Sequence, residues 1–568
     1  MSGKSTLCLL LVGILTFTLF TACGGNTGND SSSKASVEAE KPAVEAEKPA
    51  TESGSDTPAS EAEETAAAGD WRTPYKETVK VTIVNSQSAG WKFDEGYDVM
   101  YNVWTERWKN TYNIEVETLW SNAEYENQVN LSIASRDIPD MFHCNPVQFY
   151  QLRDAGLIAD ITDVYNEYVS EPVRKRLEDM SMYFDTCWQD GKLYSIPHLA
   201  YGAHEAETMW IKNSWYEAAG SPEIKTVAQF EDLMRTFMTE HGSSFAMPAN
   251  RELWTFYRMS PAWHVFHEIW VDDGTGNIVY GNTLPEQKNQ LETWARWYKE
   301  GLLRPDWASL DNDAMMADVI DGNVGVLPSA NWSGWQWGAS IVELYGEDEL
   351  LSSYEFPSVD GQTIMYPFKF LQYWYNVVSK DCANPEVLIK LNNDYFYVLN
   401  ISVKEGSMTE AEQLPFSTND MHHVTGPFKL CHDEDIDVVE VWDVFNRNKT
   451  PDFSTGYGIA YYNEISKWVD ERDTVGLGRY LQMGSPDAPI HRAYMFYLED
   501  RYVFSKLWGP QPEIMIDLGK VLSGILDEGF AKIINGVEPV DYFETLIEEW
   551  KAAGGADVTA AINQMYGG

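Results

Sequence analysis

Glu77-Thr-Val-Lys-Val-Thr-Ile-Val84 alternates polar and β-branched residues and reads as a strand. A loop through Asn85–Trp91 follows it, and Tyr97–Thr111 then carries apolar residues at helical spacing. Asn113-Ile-Glu-Val-Glu-Thr-Leu119 reads as a second strand, Tyr125–Ser135 as a second helix, and Ile138-Pro-Asp-Met-Phe-His-Cys144 as a third strand. Strands that alternate with helices imply βαβ units and a largely parallel sheet, the signature of an α/β fold. In such sheets ligands gather at the carboxyl ends of the strands. Those ends are here Asn85–Trp91, Trp120–Asn122 and Asn145.

Upstream of this region the chain changes character. Met1–Ala22 holds one charge, Lys4, an apolar run from Leu7 to Phe20 and the small pair Thr21-Ala22. It reads as a secretory signal that ends at Cys23. The apolar run is shorter than the ~20 residues a membrane-spanning helix needs. From Gly24 to Asp70 there are 11 acidic and 3 basic residues and no aromatic one, with Val37–Ala43 repeated at once as Val44–Ala50. Such a segment buries too little apolar surface to fold and stays extended and solvated. Leu19-Phe20-Thr21-Ala22-Cys23 resembles the lipobox of bacterial lipoproteins. That resemblance implies cleavage before Cys23 and lipidation of its sulfur, with Phe20 standing where the family usually has Leu or Val. It also implies a place on the outer face of the cell membrane.

The chain carries 87 acidic against 41 basic residues, a net charge of −46. A polyanionic partner needs Lys and Arg to displace counterions, so this balance argues against nucleic acid. It equally argues against lying flat on an anionic membrane. The region from Trp71 to Gly568 exceeds one ordinary core, and two lobes are expected. Cys144, Cys187, Cys382 and Cys431 are far apart and form no CxxC motif, so no zinc or redox site is read from them. Asp272-Asp-Gly-Thr-Gly276 lacks the calcium-loop spacing and reads as the turn of a hairpin completed by Asn277–Gly281. Neither a metal nor a cofactor is assigned.

Further motifs occur in order along the chain: Gly156-Leu-Ile-Ala-Asp-Ile-Thr-Asp163, Asp190-Gly-Lys-Leu-Tyr-Ser-Ile-Pro197, Trp210-Ile-Lys-Asn-Ser-Trp-Tyr216 and Thr226-Val-Ala-Gln-Phe-Glu-Asp-Leu233. They continue with Trp297–Asp306, Asp321–Leu327, Ala531–Gly536 and Trp550–Gly555. With the opening strands, these segments resemble the large carbohydrate-type solute-binding lipoproteins of ABC importers, the group related to maltose-binding protein. The resemblance implies a two-lobed periplasmic-binding-protein-like fold of type II, each lobe a mostly parallel sheet flanked by helices, with a hinge of crossing strands. The crossings are expected near Ile196–Tyr201 and Phe370–Trp374. The first lobe is expected at 71–200 with about 372–450, and the second at 201–371 with about 451–568, after a signal at 1–22 and a linker at 23–70. The implied partners are an oligosaccharide or related solute and the membrane permease subunits, with the protein acting as a monomer.

Composition supports a sugar ligand, because 22 Trp, 31 Tyr and 23 Phe are an unusual aromatic load. Sugars rest C–H faces on aromatic rings while their hydroxyls need planar donors and acceptors. Trp91, Trp120, Trp254, Trp263, Trp332, Trp335 and Trp374 sit in loop or hinge segments, and Trp332 matches the family's cleft-facing tryptophan. Polar candidates are Asn85, Asn145, His204, Glu205 and Arg258, with Tyr201 at the hinge. Taken singly, each tryptophan is more often a core residue, each Asn a turn or cap, and Glu205 and Arg258 parts of a solvated face.

No GxSxG, HExxH, phosphate-binding loop or dinucleotide fingerprint is present, and no catalytic residue is assigned. His422-His423 reads as a loop. With so many carboxylates, acidic pairs carry no information about glycoside hydrolysis. The alternatives left open are a surface glycoside-active enzyme and a binder or sensor of peptides or other nutrients.

Overall fold

The computed structural model describes residues 69–567 apart from 88–90, 92, 199–206, 369–373, 417–420, 422–423, 431–433 and 454–455. Cys23 and the segment around it, with Tyr201, His204, Glu205 and His422-His423, lie outside the described residues.

The first strand, Val79–Ser86, pairs in parallel with Ile114–Asn122, placing Val81 beside Val116. The helix between them, Val103–Tyr112, begins later than the apolar spacing suggests. Asp98 accepts hydrogen bonds from the Met100 and Tyr101 amides and makes a turn, after which Asn102 caps the helix in a reciprocal box with Thr105. Trp104, Trp108 and Tyr112 recur at four-residue spacing and bury one face against Tyr395, Phe416, Phe428 and Asp394. The helix Tyr125–Ser135 falls where the sequence places it.

The third strand is Met141–Cys144, shorter than read, because Pro139 donates no ladder hydrogen bond and the Asp140 carboxylate instead accepts from the Thr82 amide and hydroxyl. It pairs antiparallel with Trp374–Val378, which pairs antiparallel with Ile196–His198. Thr208–Lys212 is flanked, again antiparallel, by Val326–Ser329 and Leu351–Tyr354. Tyr366–Phe368 and Tyr502–Phe504 run in parallel. Both directions thus occur: the chain leaves the first core through Ile196–His198 and re-enters it through Trp374–Val378, so these two strands must run in opposite senses.

The apolar residues separate accordingly. One core takes Trp71 to Ile196 together with Tyr375 to Ile490. A second takes Met209 to Phe368 together with Ala493 to Ile562. A smaller cluster joins Trp210, Trp337 and Leu351 to Trp468, Leu477 and Leu481. Phe453, Tyr457, Tyr461 and Ile465 therefore pack with the first core, past the boundary read near residue 450.

Local signals are obeyed elsewhere. Thr226 and Gln229 form the capping box of the helix Val227–His241, and Gly301, at φ 77°, closes the helix Glu286–Glu300. The hairpin Trp270–Asp272/Ile278–Tyr280 is turned by Asp272 and Asp273, whose carboxylates accept from the Gly274 and Thr275 amides. In open α/β sheets ligands gather at the carboxyl ends of the strands, and here the chain passes between its two large cores at the crossing strands Ile196–His198 and Trp374–Val378.

Candidate functional site

Two groups of aromatic and polar residues stand at those strand ends. The first is built on the strands that flank the crossings. Trp120, near the end of Ile114–Asn122, lies 5.6 Å from Tyr125, and Trp374 meets the same Tyr125 edge to face at 5.7 Å. Tyr125 stacks on His143 at 4.4 Å and donates its hydroxyl to the His143 carbonyl. His143 in turn lies 6.0 Å from His198, which is paired with Trp374 in the sheet. Burial, reinforced by the charge of Lys429, pushes His143 down to about 3, so its imidazole is neutral. The result is a packed aromatic platform with Trp120 and Trp374 only partly buried.

The second group is built on three chain segments. Leu253, held at φ 58° in the left-handed region, turns the backbone into the short helix Trp254–Arg258. Trp254 is 40% exposed, and the Arg258 guanidinium lies over its ring at 5.5 Å. Arg258 donates to the Ser329 hydroxyl and is 3.2 Å from Glu207. Ser329 ends its strand; the turn that follows presents Trp332, and the start of the next helix, Gly334–Tyr345, presents Trp335, each 42% exposed. Trp335 donates its indole N–H to Gln482, which also accepts from Arg479 and donates to Asn331. Arg479 lies between two rings, 5.0 Å from Trp335 and 4.3 Å from Tyr461, and bonds to Glu464. Gly478 is required here, since a Cβ at this position would come within 2.4 Å of the Trp335 ring.

The remaining sequence candidates take other places. Asn85 is buried and donates to the Val424 carbonyl, holding the segment that contains Gly426. Asn145 caps the helix Pro146–Asp154 in a box with Gln148. Trp263, at 1% exposure, belongs to the second core beside Trp297 and is not a surface residue. Trp91 packs, partly buried, against the first core. The sequence reading missed Arg479, Gln482, Glu464 and Tyr461. Their one local sign is Gly476-Leu-Gly-Arg479, whose second glycine makes room for an indole.

Chemically, the second group offers apolar ring faces beside guanidinium, amide and carboxylate groups. Among the described residues, no group of three or more His, Cys, Asp or Glu could hold a metal, and no helix is long and apolar enough to cross a membrane.

Comparison with known proteins agrees with this architecture. The alginate-binding protein AlgQ2, solved without calcium ion, superposes with a TM-score of 0.58 at 14% identity, covering 88% of this chain and 99% of that one. A solute-binding protein from Bifidobacterium longum infantis, described as HMO-binding and ABC-transporter-associated, gives 0.58 at 14% identity, covering 86% and 98%. The S. pneumoniae substrate-binding protein FusA, in complex with kestose, gives 0.55 at 14% identity, covering 86% and 98%. At such identities the likeness is one of fold. A curated relative, the DNA polymerase delta catalytic subunit of Drosophila melanogaster, is 26% identical over 97 residues. The chain spans only 9% of that protein's length, with 17% of its own length matched. The model of the bacterial extracellular solute-binding proteins matches residues 90–391. With more than half of its length matched and the corresponding fold in place, the chain belongs to the bacterial extracellular solute-binding protein family.

Proposed function

We propose that this protein is the ligand-capturing component of an ABC importer. It takes an oligosaccharide between its lobes and hands it to membrane permease subunits. The observation that carries the reading is the second group, where three exposed indoles, Trp254, Trp332 and Trp335, stand beside Arg258, Asn331 and Gln482. Exposed rings next to fixed polar groups suit a polyhydroxylated ligand, because rings bind C–H faces while amides and guanidinium groups sort the hydroxyls. Trp120 and Trp374, partly buried against the first core, supply further ring surface. The alginate-binding, HMO-binding and kestose-bound relatives share the fold and support a sugar over a peptide.

The anchor is a diacylglyceryl group on Cys23. Acyl CH₂ groups contribute ~0.8 kcal/mol each, so two or more chains hold the protein on the membrane, and the acidic segment after Cys23 lets a monomer reach its permease.

The test is to purify the protein from its own cells, denature it and identify the released small molecules by mass spectrometry. A released oligosaccharide is the expected result. A released peptide, with no sugar, would overturn the reading.

A further inference from the structure

Both arginines of the second group are already neutralised. Arg258 is 3.2 Å from Glu207, and Arg479 is 3.3 Å from Glu464. Each is also held by a ring and by a neutral acceptor, Trp254 and Ser329 for the first, Trp335 and Gln482 for the second. The Arg258–Glu207 contact is one of charge rather than an aligned hydrogen bond, because the same Glu207 oxygen is buried without a hydrogen-bond donor. The Glu207 side chain as a whole keeps 31% exposure, so the rest of its carboxylate is open to a hydroxyl that enters beside Arg258. A ligand carboxylate would find no uncompensated cation among these residues and would approach two carboxylates on a chain of net charge −46.

We propose that the site selects neutral oligosaccharides against uronates and other acidic sugars, and that Glu207 and Glu464 are the residues that set this selectivity. The inference rests on the sugar-binding reading above and makes it specific. Like charges brought together across an interface are a strong means of rejecting a wrong partner, and discrimination needs such a repulsive element as well as attractive contacts. A sugar hydroxyl meets no such penalty. It can accept from a guanidinium N–H and donate to the carboxylate beside it, so each ion pair acts as a two-sided hydroxyl reader.

The experiment titrates the full-length chain by calorimetry with matched probes: oligogalactosides and oligogalacturonates, oligomannosides and oligomannuronates, and fructo-oligosaccharides, with a peptide mixture alongside. The proposal expects binding of at least one neutral probe and none of its acidic counterpart. In Glu207→Gln, Glu464→Gln and the double variant, the uronate-to-neutral affinity ratio should rise at least ~tenfold, as the unpaired guanidinium becomes available. The two single variants report independently, so loss of one fold leaves the other readable. A uronate that binds the wild type as tightly as any neutral probe would overturn the selectivity while leaving sugar capture intact. An unchanged ratio in correctly melting variants would overturn the roles of Glu207 and Glu464. Binding of peptides alone would instead overturn sugar capture itself, and this inference with it.

Discussion

Trp374 meets His143 edge to face, their ring centroids 4.7 Å apart, so a residue on the strand re-entering the first core is locked to the strand beside it. The same imidazole stacks on Tyr125. The platform at the crossing therefore depends on an aromatic ring at position 143 that carries no charge.

That dependence predicts a pH effect. Burial lowers His143 to about 3, whereas the unfolded chain takes up the proton near 6.5. The unfolded state then binds more protons, so this group's stabilisation is complete above about pH 6.5 and is lost as pH falls towards 3, at ~1.4 kcal/mol per pH unit. His143→Phe keeps a ring and removes the titration. Urea unfolding at pH 7 and pH 5 should show the wild type losing ~2 kcal/mol more than the variant. Equal losses would contradict the assignment.

Trp332→Ala and Trp263→Ala should separate binding from folding. Trp332 is exposed, so its loss should leave the melting temperature nearly unchanged and weaken ligand binding by ~10- to 100-fold. Trp263 is buried among large side chains, and truncation there should cost ~3–5 kcal/mol of stability. Thermal melts and calorimetry of both variants check the contrast.

Asp394 is buried in the first core, where it accepts from the Arg107 guanidinium, the Trp108 indole at 3.1 Å and the Tyr112 hydroxyl at 2.6 Å. Burial and the adjacent Asp394 charge both push the Tyr112 phenol upward, which keeps it a donor. Asp394→Asn leaves Arg107 partly buried without its counter-charge, and should cost ~3 kcal/mol in denaturant unfolding.

Cys23→Ser should move the protein from the membrane fraction to the medium with its melting temperature unchanged. Retention on the membrane would point to an anchor other than the acyl chains.

The fold was legible where its causes are local. The Thr226/Gln229 capping box and the Gly301 stop lie within a few residues and appear as read, and the strand read over Glu77–Val84 appears two residues later, as Val79–Ser86. Asn145 takes the capping role weighed for it, its cause again local, since Pro146 and Gln148 beside it complete the box. Trp263, placed in a loop or hinge segment, takes the core role that a single tryptophan more often has: Ser260–Trp263 winds inward beside Trp297. The site was legible only in part. Trp332 and Trp335 stood out as residues, but the partner of Trp335 is Gln482, 147 positions away, and no local pattern reports such a pairing.

The most direct measurement is intrinsic tryptophan fluorescence and thermal melting, titrated with oligosaccharides and peptides, with the sugars assayed after overnight incubation. Binding to the folded state raises stability by mass action, to ~2.7 kcal/mol at a hundredfold excess over Kd. The account predicts a rise in melting temperature with an oligosaccharide that is recovered intact. A rise with peptides alone, or with a sugar recovered cleaved, would contradict it.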